Sequence, residues 1–216
     1  MFAPPAAAEI VVTQTHVVLI GNSNPFTIEL DGTTEFTLKI RGQGLYYNKF
    51  NVSAASGAGM VGHGRSNQVA ALKFGAPIGT ADQFEAGKQT LASAFICRFS
   101  SCTDGTGGPF ANVTDRFLGL KFKLSGQVYY GWAGFSKVIA GDGGVTVFLT
   151  AYAYQTEPNT LIYAGQSSDS PRESRLLPGN GTAPNAAKLQ PATLGVLALG
   201  SLGLDVWRKR EAPEAE

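Results

Sequence analysis

Short runs in which apolar and polar residues alternate fill the chain from Glu9 to about Ala164. The alternation is sharpest in Phe36-Thr37-Leu38-Lys39-Ile40, in Leu118-Gly119-Leu120-Lys121-Phe122-Lys123-Leu124 and in Val145-Thr146-Val147-Phe148-Leu149-Thr150. A period of two places every apolar member of such a run on one face of a strand and the Lys and Thr residues on the other. Strands are predicted at residues 10–20, 26–30, 34–41, 46–52, 68–72, 116–124, 127–137 and 145–154. Ser125-Gly126 and Asp142-Gly143-Gly144 fall between consecutive runs, where residues that tolerate positive φ close hairpins at low cost. The last three strands therefore read as an antiparallel meander. Residues 82–88 are read as a short helix, and no helix elsewhere provides a parallel-sheet crossover. The expected fold is all-β, an antiparallel β-sandwich or its jelly-roll variant.

Beyond the β-domain, assigned to residues 9–164, the pattern changes. Residues 165–190 carry Pro171, Pro178, Pro184 and Asn180-Gly181 with few large apolar side chains. Such a stretch cannot offset its ordering entropy and reads as a flexible linker. Residues 191–216 open with Pro191, continue through an apolar, Gly-containing run to Trp207 and end on the basic triplet Arg208-Lys209-Arg210. As a helix, residues 192–207 would rise about 24 Å at 1.5 Å per residue, a little short of the hydrocarbon core of a bilayer. The triplet would hold the cytoplasmic side and Trp207 the interface, so the expected partner of this tail is a bacterial membrane. At the other end, residues 1–8 resemble the small-residue end of a secretory signal peptide. Ala6 and Ala8 stand where a signal peptidase reads small side chains, as they would in a truncated reading frame.

The tail carries a family resemblance. Pro191-Ala192-Thr193-Leu194-Gly195 leading into the apolar run, closed by Arg208, Lys209 and Arg210, resembles the sorting segment of PEP-CTERM proteins, with Leu189-Gln190-Pro191 in place of Pro-Glu-Pro. The resemblance implies recognition by an exosortase-type membrane transpeptidase and delivery to the cell surface or extracellular matrix. Residues 117–122, 130–133 and 151–159 are similar to blocks of uncharacterised secreted proteins of environmental bacteria, which carry no assigned activity.

Composition narrows the function classes. Charged residues make up 15% of the chain and the formal net charge is +1, with no basic stripe, so nucleic acid is not an expected partner. Cys97 and Cys102 are close enough in sequence to be bridged across a turn, and in an exported protein a disulfide is the expected state; reduced thiols are the alternative.

Catalytic motifs fare poorly. Gly57-Ala58-Gly59-Met60-Val61-Gly62 has the spacing of a dinucleotide loop, with Asp82 at a fitting distance, but a strand-helix-strand unit around it is lacking. His16 and His63 are the only histidines, and no nucleophile elbow accompanies them. Glu29, Asp31, Glu35, Asp115 and Asp142 are available as paired carboxylates, and Asp31, Glu35, Asp104 and Asp142 as calcium ligands, but without the spacing either chemistry needs; turn-forming Asp is the simpler reading. No metal or cofactor is implied. Tyr130 and Trp132 share one face of a predicted strand; core packing is the expected role of such rings, and a ligand platform for an extracellular polysaccharide is the alternative. The expected function is that of a non-enzymatic exported surface or matrix protein, the alternative a carbohydrate- or ligand-binding module.

Overall fold

The structure is a computed structural model that describes residues 9–167 apart from 22, 31, 43–46, 64–67 and 98–102. The signal-peptide-like arm, Cys102, the sorting motif and nearly all of the linker lie outside the described residues. Within them the chain is all-β: β1 (Ile10–Leu19), β2 (Phe26–Leu30), β3 (Thr33–Gly42), β4 (Tyr47–Ala54), β5 (Gly59–Val61), β6 (Pro77–Ile78), β7 (Phe84–Glu85), β8 (Lys88–Phe95), β9 (Gly105–Gly107), β10 (Val113–Leu124), β11 (Gln127–Gly141), β12 (Gly144–Gln155) and β13 (Ile162–Tyr163). They form antiparallel sheets of six strands, β1-β12-β11-β10-β5-β7, and five strands, β2-β3-β4-β8-β9, with β13 and β6 paired separately. The meander β10-β11-β12 is present, closed by left-handed Ser125-Gly126 and Asp142-Gly143 turns.

Three expectations are corrected. Residues 68–72 form no strand; they contribute only bridges from Val69 to Gly62 and from Leu72 to Phe117. Residues 82–88 are not helical. Phe84 and Glu85 pair with β5, and Gly87, at φ 70°, turns the chain into β8. β8 itself was not expected, because Gln89-Thr90-Leu91-Ala92-Ser93-Ala94 is rich in small residues and poor in the β-branched ones that mark strands. It nonetheless lies inside the five-stranded sheet, where small side chains suit the close packing of Ala92 and Ala94 in the core.

Two apolar clusters organise the packing. The larger draws Ile28, Phe36, Leu38, Ile40, Phe50 and Val52 from the five-stranded sheet and Leu118, Leu120, Phe122, Phe135, Val147 and Leu149 from the six-stranded sheet, giving a sandwich-like arrangement. The Phe50 and Phe135 rings meet edge to face at 5.7 Å across the two sheets. The second cluster lies on the other face of the six-stranded sheet, where Ile10, Tyr130, Trp132, Ala151 and Ala153 meet Ala70, Ile78, Ile162 and Ala164 from the covering segments. Gly131 sits where a Cβ would run into the carbonyl oxygen of Ala153 on the neighbouring strand, so only glycine fits there.

The six-stranded sheet reaches both clusters through a row of irregularities at one level. On β1 the register shifts between Gln14 and Val17, and on β11 and β12 it shifts around Phe135 and Thr150. On β10, Asp115 takes φ 49° opposite Ser136. On β11 and β12 the inserted residue, Ser136 and Thr150 respectively, swaps the faces beyond it. Val145, Val147 and Leu149 thus enter the larger core, while Ala151 and Ala153 of the same strand enter the second. Thr150 donates from Oγ1 to the Gly134 carbonyl at 3.0 Å, tying the shift on β12 to that on β11.

At one end of the sheets the first described residue is fastened to the end of β12: Glu9 N donates to Thr156 Oγ1 at 3.1 Å and Thr156 N to the Glu9 carbonyl at 2.9 Å. At the other end of β12, buried Asn48 of β4 donates from Nδ2 to the Gly143 carbonyl, linking the two sheets. Removing one partner of a buried hydrogen bond costs about 1–3 kcal/mol. Asn48→Ala is expected to lower the unfolding free energy by about that amount in urea denaturation, with the slope unchanged.

Candidate functional site: a cationic trough

The aromatic pair singled out from the sequence does not form a platform. Tyr130 and Trp132 do share a face, but they are only 3% and 4% exposed, because the segments that carry β6, β7 and β13 cover that face. Trp132 packs edge to face on Phe117 at 5.4 Å, and its Nε1 donates to the Gln166 carbonyl at 3.1 Å. Tyr130 stacks on Phe84 at 5.8 Å. Both are core residues.

The other candidate chemistry is dispersed. Gly59, Met60 and Val61 form β5 instead of opening a helix, so the glycine spacing builds no pyrophosphate cradle. Asp82 accepts from Gly79 N at 2.8 Å and serves as a turn residue. His16 is exposed in the irregular stretch of β1, and Asp115 and Asp142 hold left-handed positions on β10 and in the β11–β12 turn. Among the described residues no three His, Cys, Asp or Glu side chains gather as a metal site. Cys97 is disulfide-bonded, its backbone N–H donating to Asp104 Oδ1 at 2.7 Å; Cys102, the other cysteine of the chain, lies outside the described residues.

What the fold does bring together is a set of cations on the outer face of the five-stranded sheet. Leu38, Ile40, Phe50 and Val52 point into the core, so Lys39, Arg41, Lys49 and Asn51 point away from it. The register sets Arg41 directly opposite Lys49, Lys39 opposite Asn51, and Lys88 opposite Ser53. Two cavities border these cations, the first at the edge of β3 beyond its last pair with β2, Phe26 to Leu38. One of about 440 Å³ is bounded by residues 23–25 and 39–42, the other, of about 330 Å³, by Arg41, Gly42, Tyr47, Lys49, Asn51 and Lys88. They share Arg41 and Gly42, and among the described residues no carboxylate lines either. Glu29, an acid on the neighbouring β2, pairs with Thr34 toward the opposite end of β3 from Arg41. The floor is fixed: Thr90 Oγ1 donates to Asn51 Oδ1 at 2.9 Å, and Asn51 Nδ2 donates to the Lys49 carbonyl at 3.2 Å. Lys49 Nζ lies 4.9 Å from the centre of the Tyr47 ring, a cation–π contact that holds the ammonium in place.

The sequence reading missed this trough. The signal available was the placement of Lys39, Arg41, Tyr47, Lys49 and Asn51 at alternate positions of two neighbouring strands; Lys88 became part of it only through β8.

Two outcomes follow for the aromatic pair. Trp132→Ala is expected to act on the fold, lowering stability by about 3–5 kcal/mol in urea denaturation. Burial, and after it the Asp82 carboxylate, pushes the Tyr130 phenol above its ordinary value. The folded state therefore keeps the proton longer than the unfolded state, and stability falls as pH rises from about 10 through the folded-state value. Tyr130→Phe should flatten that alkaline limb in a series of denaturation curves; an identical limb would remove Tyr130 as its source. No protein-family model, curated protein or solved structure matches the chain.

Proposed function

We propose that this chain is a non-enzymatic exported protein, an antiparallel β-sandwich, with the jelly roll as its variant, sorted to the cell surface or extracellular matrix by its C-terminal segment. The observation that carries the reading is the disulfide-bonded Cys97 on a turn-rich all-β domain, since such bonds persist in oxidising compartments. The tail adds the sequence argument: Pro191 to Gly195, the apolar run behind them and Arg208-Lys209-Arg210 form a segment suited to a membrane and to an exosortase-type transpeptidase. Among the described residues no helix is long and apolar enough to cross a membrane, and the segment assigned that role lies outside them. A second reading, a ligand-binding module, is favoured by the trough: its cations, amide and aromatic ring line one indented surface.

The test of the leading reading is fractionation of the full-length chain and of a form lacking residues 191–216 in a bacterial host with an exosortase-type system. The full chain is expected in the membrane or surface fraction and the shortened form in the soluble exported fraction; an identical distribution of the two would overturn the sorting role.

A further inference from the structure

We propose that the trough on the outer face of the five-stranded sheet binds a linear polysaccharide bearing carboxylates, with Arg41 and Lys49 as the central anion contacts and Lys39 and Lys88 flanking them. This deepens the ligand-binding reading and does not rest on export. Like charges set directly opposite on neighbouring strands repel, and Arg41 and Lys49 occupy such a pair in a cavity that no acid among the described residues lines. A bound carboxylate between them converts that repulsion into two charge-assisted hydrogen bonds, which the Arg fork can make bidentate.

The spread of the cations argues for a polymer. Lys39 on β3 and Lys88 on β8 are separated by β4, so two strand spacings, about 10 Å, lie between their strands. One small anion cannot reach both, whereas a chain with one carboxylate per sugar carries repeated charge along two adjoining cavities. Tyr47 adds an aromatic ring on which the apolar face of a sugar can rest, while buried Asn51, its amide held by Thr90 and the Lys49 carbonyl, fixes the floor beneath. A peptide strand would pair along the edge of β3, whereas Arg41, Lys49 and Lys88 stand on three neighbouring strands and so run across the face from that edge. A nucleic acid strand would call for a row of stacking rings and a longer basic track, and among the described residues Tyr47 is the one ring that lines the cavities.

The test is calorimetric titration of the full chain with an oligogalacturonate, beside neutral dextran oligomers, polyglutamate and oligothymidylate. Oligogalacturonate is expected to bind with an affinity that falls as salt rises. The R41Q/K49Q variant is expected to bind at least about tenfold more weakly, while K137Q, on the other sheet, binds as the parent does. The thermal midpoint of free R41Q/K49Q should be no lower than the parent's, because the opposed charges are gone; should that variant not fold, K39Q/K88Q carries the same binding expectation. Absence of oligogalacturonate binding, equal binding by the folded variant, or equally tight binding of polyglutamate or oligothymidylate would overturn the assignment. Binding of dextran alone would overturn it too, and would leave the ligand-binding reading standing.

Discussion

A sheet that is apolar on both faces has to be covered twice, and the rest of this domain follows from that requirement. The half of the six-stranded sheet that contains Tyr130, Trp132, Ala151 and Ala153 meets the five-stranded sheet on one side and a covering of short segments on the other. The row of irregularities through β1, β10, β11 and β12 lets the sheet meet both clusters, because the residues inserted on β11 and β12 redirect the side chains beyond them. Beyond that row the sheet needs only one cover, and Val18 and Ile139 stand half exposed there. The pair β6–β13, two residues long in each strand, has too few contacts to persist alone. It persists because Ile78 and Ile162 are sealed against the sheet and because Trp132 anchors Gln166.

The same requirement explains what could be read from the sequence. The alternation in β10 and β12 and the turns between the meander strands were plain, since hairpin chemistry and a period of two are local properties. Which cover each residue meets was not plain. Along β12 the odd-numbered residues are buried from Val145 to Gln155 without a break, yet at Thr150 they leave one core and enter the other. Nothing in Leu149-Thr150-Ala151 marks the change; it is set by neighbours distant in sequence. Tyr130 and Trp132 were correctly placed on one face, but whether that face was wet depended on β6, β7 and β13, which have almost no strand signature. β8 is hidden by its small alanine and serine side chains, and residues 82–88 read as a helix although Gly87 turns the chain there.

The trough was hidden for a related reason. Lys39 is visible in the sequence as the polar member of an alternating run, which ordinarily means a solvated face. Its meaning changes once Arg41 faces Lys49 and β8 brings Lys88 alongside. Rigidity under these side chains comes from the opposite side of the sheet: Phe50 packs against Phe135, and Asn48 reaches Gly143, so the strands carrying the cations are held by the core below them.

The Glu9–Thr156 fastening has a mechanical consequence. Chain entry at Glu9 and the segment held through Gln166 lie at the same end of the six-stranded sheet, since Ile10 faces Gln155, and Trp132, to which Gln166 is tied, faces Ala153. Tension between the two connections would therefore pull β1 away from β12 sideways, across hydrogen bonds that run perpendicular to the strands. The bonds would break one after another from the Glu9 end, as in a zipper, instead of resisting together in shear. A domain wired in this way yields to a low force along its own connections, while the five-stranded sheet on the far side of the core feels little of the load.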